Sequence, residues 1–205
     1  MATMTQLLIS NLALKHLGMK GIASLTPPST GVDPSIDLCN SYFEICRDDV
    51  FREFRWPFAT AQATLNASSV EVPQGWLFAY DYPTQNAATV WTVFNEATSD
   101  DKESQDFEVF YDPTSDTKII GSKLEDAWME YTHIVTNISL WDNKFIWALS
   151  YKLAAAMAHS LTGDEAKGTT LTAFFNGIIN DAKRIAATEQ KKQPKRKSEY
   201  QNSRG

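Results

Sequence analysis

Residues 33–57 constrain this chain more than any other stretch, because they carry both ends and the inner face of one helix. Asp33-Pro34 opens it. A carboxylate accepts from backbone N–H groups left free at a helix start, and proline at the first helical position gives up no hydrogen bond. Ile36, Cys39, Phe43, Cys46, Val50 and Phe54 then recur at spacings of three and four, widened by Leu38 and Tyr42. Asp37, Asn40, Glu44, Asp48 and Arg52 fall outside that stripe. Pro57 sets the end, since it drives Trp56 before it out of helical geometry.

Residues 4–17 repeat the pattern on a smaller scale. Ile9, Leu12, Ala13 and Leu17 share one stripe, Thr3 or Thr5 is available as a cap, and Gly18 is the stop. The stretch 19–31, with Pro27-Pro28, reads as a loop. Helical spacing returns over 141–161, where Phe145, Leu149, Leu153 and Ala156 form the stripe. Ala148, Ala154, Ala155 and Ala158 leave most other faces small, which predicts a helix surrounded by others. Gly163 ends it, and Asp164-Glu165 start a last helix with the stripe Leu171, Phe174, Phe175, Ile178, Ala182 and Ile185. Acids first and Lys183-Arg184 late fit its dipole.

Between these helices the pattern shifts toward strands. Candidates are 88–95, 107–111, 117–120 and 127–135, separated by acidic or proline-containing turns such as Asp112-Pro113. The last is ambiguous between strand and helix by periodicity alone. A second aromatic cluster, Gly75-Trp76-Leu77-Phe78-Ala79-Tyr80, lies between Pro73 and Pro83 and opens this region.

Apolar residues at 43% and charged residues at 21% are ordinary globular values, so a folded core is expected over most of the 205 residues. No run of about 18 apolar residues and no leader-like N-terminus is visible, which predicts a soluble chain made in a cytoplasm. Cys39 and Cys46 lie seven apart on one helix, about 10.5 Å between α-carbons at ~1.5 Å per residue. A disulfide needs them within about 7 Å, so both read as small buried apolar residues. The net charge of −6 is uneven: residues 191–205 hold six Lys/Arg against one Glu, leaving −11 on the first 190. That acidic body argues against general nucleic-acid coating by the folded part.

Signatures of catalysis are weak. The run from Gly163 to Thr170 has the glycine spacing of a phosphate loop, but Thr169 replaces the lysine and the segment follows a helix; it reads as a helix-to-helix turn. His16, His133 and His159 are scattered outside any zinc-binding spacing, and no Gly-x-Ser-x-Gly elbow occurs. The expectation is no enzyme, no cofactor and no metal. Asp100, Asp101, Glu103, Asp106, Glu108, Asp112 and Asp116 form an acidic cluster against Lys102 alone, and its plain reading is a solvated loop and strand face. Lys191, Lys192, Lys195, Arg196 and Lys197, with no apolar residue among them, predict a disordered basic tail. Such a tail serves either an anionic contact, nucleic acid included, or an extension that orders on a protein partner.

The order of Ala13-Leu14, Leu17-Gly18, Arg47-Asp48, Trp56-x-Phe58-Ala59, Gly75-Trp76, Ala79-Tyr80, Leu153 to Ala156 and Leu161-Thr162-Gly163 resembles the head-to-tail adaptor family of short-tailed bacteriophages, the tail tubular protein A-like adaptors. The similarity spans about residues 4–163. It favours a strand over 127–135. It implies a structural virion protein that forms a ring of twelve copies in the neck, which is compatible with a monomer in solution. That ring joins the portal protein to the tail nozzle, a tail tubular protein B-like protein, extends the channel for passing DNA and helps retain the packaged genome, without membrane contact. The basic residues 191, 192, 195, 196 and 197 then become candidates for portal docking. Arg47-Asp48 reads either as a solvated pair or as a contact to the next subunit, and some acids of the cluster as channel lining. Trp56, Phe58, Trp76 and Tyr80 are read as hinge packing between modules. A DNA-binding accessory protein acting through the tail, or a virion-borne cell-wall hydrolase with two distant carboxylates, are the alternatives.

The expected fold is α+β: a helical bundle of about four helices from residues 1–64 and 139–190, a small antiparallel sheet inserted at 65–138, and a flexible basic tail at 191–205.

Overall fold

The computed structural model describes residues 4–29, 31–83, 86–95 and 105–189, and within them the fold is α+β. The helices are α1 (Gln6–His16), α2 (Pro34–Glu53), α3 (Asn143–Thr162) and α4 (Glu165–Glu189). Each starts where a short oxygen side chain meets free backbone donors. Leu8 N donates to Thr5 Oγ1 at 3.3 Å, Ser35 N to Asp33 at 2.9 Å, Lys144 N to Asp142 at 2.6 Å and Lys167 N to Asp164 at 3.1 Å. Gly163, at φ +67°, closes α3 in the left-handed conformation that glycine adopts without a Cβ penalty. The segment with phosphate-loop spacing is thus the Gly163-Asp164 turn out of α3 followed by the first residues of α4.

α3 is the axis on which α1, α2 and α4 pack. Its buried Phe145, Leu149, Leu153 and Met157 meet Ile9 and Leu14 of α1, Phe43 and Val50 of α2, and Leu171 and Phe175 of α4. Full burial of one such side chain is worth roughly 1.5–3 kcal/mol, so the platform's stability is concentrated here. Cys39 and Cys46 are buried free thiols, and burial pushes Cys46 up to about 11. Two stripe assignments need correction. Ala156 is exposed and Met157 takes its place; on α4, Phe174 and Ile185 face outward while Ile179 and Ala186 are buried. The reason is that α4 packs chiefly on α3, so it covers a narrower arc than its apolar residues could fill.

The strands are β1 (Thr60–Thr64), β2 (Phe78–Asp81), β3 (Ala87–Asn95), β4 (Phe107–Asp112), β5 (Thr117–Ser122) and β6 (Ala127–His133). Where one sheet was expected there are two, each antiparallel and three-stranded, ordered β1-β6-β3 and β2-β5-β4. β1 lies inside the stretch assigned to the bundle; it is a strand because Thr60 to Thr64 pair with Thr132 to Trp128 of β6. A small shared core of Leu65, Tyr80, Val90, Val93, Ile120, Ala127 and Met129 lies between the sheets. Trp91 Nε1 donates across the first sheet to the buried Thr132 hydroxyl at 2.7 Å.

Candidate interaction surfaces

The chain crosses from helices to sheets at 54–60 and returns at 134–142, and both crossings are built alike. Each has a single 3-10 turn, Pro57–Ala59 or Ile138–Leu140, beside a buried tryptophan. Trp56 Nε1 donates to the Val50 carbonyl at 2.8 Å, and Trp141 Nε1 donates to the Val135 carbonyl at 2.8 Å, six residues back in each case. Both indoles meet Phe145 edge-on, at 5.1 and 4.9 Å between centroids. Satisfying the indole N–H is what lets so large a side chain be buried at a junction without an orphaned donor. Phe58 joins the same cluster, 5.3 Å from Phe145.

An ion pair reinforces the first crossing. Arg55 leaves α2 and pairs with Glu130 on the central strand β6, whose other carboxylate oxygen accepts from Gln62 Nε2 at 2.7 Å. Glu130 is buried, and the pair ties the bundle's exit to β6 and, through Gln62, to β1. A buried carboxylate left unpaired would be strongly unfavourable, so this bond fixes an orientation more than it adds net stability.

The four aromatics read as one hinge separate into three places. Trp56 and Phe58 pack in the helical core at the junction. Tyr80 belongs to the core between the sheets, its hydroxyl donating to the Leu124 carbonyl at 2.6 Å. Trp76 lies on the β2-β5-β4 sheet, over Gly121 and 6.5 Å from the Phe110 ring. A Cβ at Gly121 would stand 2.8 Å from Trp76 Cγ, so the glycine is what admits the indole. The residues missed are Trp141 and Phe145 as junction packing; the signal was a tryptophan just before the Asp142 cap, mirroring Trp56 just after α2.

Arg47 and Asp48 pair with one another at 2.8 Å, and Arg47 also reaches Glu44 at 3.8 Å. The Arg47 side chain is largely buried, at 15% exposure. The basic residues 191, 192, 195, 196 and 197 lie outside the described residues, as do Asp100, Asp101 and Glu103 of the acidic cluster. The rest of that cluster surrounds the β4–β5 hairpin. Asp112 accepts from Ser115 N at 2.9 Å and from the Ser115 hydroxyl, which hold its carboxyl below the usual range. Tyr111 OH donates to Asp116 at 2.7 Å. These bonds make a firm acidic tip with Tyr111 and Val109 exposed beside it.

Among the described residues no three His, Cys, Asp or Glu side chains converge as a metal-binding group, and no helix is long and apolar enough to cross a membrane. His16 stacks on Tyr151 at 4.0 Å and shares a 3.1 Å hydrogen bond with Ser150; His159 stands 3.9 Å from Glu165 at the surface. His133 lies on β6 beside Tyr131. No family model and no curated protein matches this chain.

Proposed function

We propose that this chain is a structural virion protein, a head-to-tail adaptor whose copies form a ring between the portal protein and the tail nozzle. The observation that carries the reading is the braced junction. Two crossings, each stopped by a tryptophan against Phe145, hold a helical platform and a pair of small sheets in one orientation. That is what a part needs whose work is to hold one partner at each end and transmit load between them. The residue order shared with short-tailed-phage adaptors supplies the assignment of partners, with the helical part toward the portal and the sheets toward the nozzle. On this reading the acids of the β4–β5 hairpin, Asp106, Glu108, Asp112 and Asp116, border the channel and keep passing DNA from adhering.

Assembly follows from mass action. A monomer whose side-to-side contacts are weak is gathered by a preformed portal, which raises its local concentration. Negative-stain electron microscopy of the purified protein mixed with the portal from the same genome tests this, with mass photometry of each alone. An added ring on the portal's narrow end, with its copy number, is the expected result; bare portals at micromolar adaptor would sink the reading. Deletion of residues 191–205 is expected to leave the monomer's melting temperature unchanged and to weaken portal docking.

The five basic residues among Lys191 to Lys197 favour one rival, a DNA-binding accessory protein. Binding to plain duplex DNA that falls steeply with salt and disappears with the tail distinguishes it.

A further inference from the structure

The seam between α3 and α4 has two unlike sides. On one, Tyr151 and Phe174 meet at 5.6 Å, and Trp147 and His16 extend the row, at 6.2 and 4.0 Å from Tyr151. Trp147 is 44% exposed and Phe174 55%, with Tyr151 and His16 half-buried beside them, so the outer rings of the row form an apolar ridge that the described residues leave uncovered. On the other side, the next residue of each helix makes the pair: Lys152 Nζ lies 5.3 Å over the Phe175 ring. There Ala155, Ala156 and Gly168 leave a groove of about 440 Å³ rimmed by Glu53 and Lys152. An open groove of that volume has room for an aromatic side chain from another molecule.

The geometry points to a head-to-tail contact in which the Trp147–Phe174 ridge of one copy seats in the Ala155–Ala156–Gly168 groove of the next. Charge favours the same pairing. α1, beside the ridge, carries Lys15 and no acid, whereas at the groove Lys152 is paired with Asp49 at 3.4 Å and Glu53 adds a second carboxylate. Exposed aromatics with a polar rim are the usual make-up of an interface core. A ridge and a groove at different places on one surface make a heterologous contact, which propagates around a ring or along a filament and does not stop at a two-fold dimer. As the lateral contact of an adaptor ring this rests on the function proposed above; as self-association it does not.

Two single variants, Phe174→Cys and Ala156→Cys, test it in the full chain, where Cys39 and Cys46 are buried. Under mild oxidation at millimolar protein, a disulfide-linked dimer is expected in the equimolar mixture and in neither variant alone. A dimer from Phe174→Cys alone would indicate a two-fold contact and overturn the proposal, as would absence of the mixed dimer. The same mixture on portals separates the two readings. Rings without the cross-link discard this contact and leave the adaptor role standing; the cross-link with bare portals does the reverse.

Discussion

The helical platform and the paired sheets reach order by different means. Among the described residues, a continuous cluster of 27 buried side chains surrounds α3, Ala88 of β3 among them, while the sheets share seven. A unit of this size sharing so small a core has little stability of its own, and depends on what it is attached to. Here the attachment is Trp56, Trp141 and the Arg55–Glu130 pair, so the sheets gain their orientation from the platform's own core. A fixed orientation can thus be carried by a minority of residues, provided they sit where the chain changes structural class.

Removing Phe145, on which both tryptophans rest, is the strongest way to break that dependence. Phe145→Ala is expected to cost about 3–5 kcal/mol, with helical circular dichroism and sheet-resident tryptophan fluorescence lost in one urea transition. Separate transitions would show that the sheets stand alone. Arg55→Met is next. It strands the Glu130 carboxylate, and about 2–3 kcal/mol is expected, below the roughly 3–5 kcal/mol of a fully enclosed pair because the Arg55 side chain is 35% exposed. Faster hydrogen exchange should concentrate in β1 and β6. Gly121→Ala sharpens the comparison from the other side: its Cβ meets Trp76 and Phe110, and a cost of about 1–2 kcal/mol should show in exchange of β2, β5 and β4 with the platform untouched.

The smallest effect belongs to His16, and it is confined to the platform. Burial holds its imidazole below the ordinary 6.5. The unfolded chain therefore takes up the proton first, so the contribution of the neutral ring is complete above that value and declines as pH falls through it toward the folded value. His16→Gln should flatten this acid limb in a series of urea midpoints, leaving the neutral-pH limb in place.

Legibility in the sequence followed the same division. Asp33-Pro34 and Trp56-Pro57 bounded α2 within a few residues, and β3 to β6 were visible from their apolar content and turns. β1 was not, because Thr60-Ala61-Gln62-Ala63-Thr64 holds no large apolar residue; its partner β6, more than 60 positions away, makes it a strand. The single sheet became two since nothing local says which of six strands pair. On α4 the sequence offers a wider apolar arc than α3 can cover, so periodicity alone placed Phe174 and Ile185 inside. The junction was half legible: Trp56 announced itself through Pro57, but its counterpart Trp141 looked like the first residue of a helix.

The matched crossings also set how the insert moves. A module hung on one strand of chain can swivel about it, since one backbone bond is enough to turn on. Two attachment points, each with its indole anchored and both stopped on the Phe145 ring, at 5.1 and 4.9 Å, oppose that rotation and leave tilting about the line joining them as the freer motion. Torque applied at the sheets is then delivered to the bundle without slack.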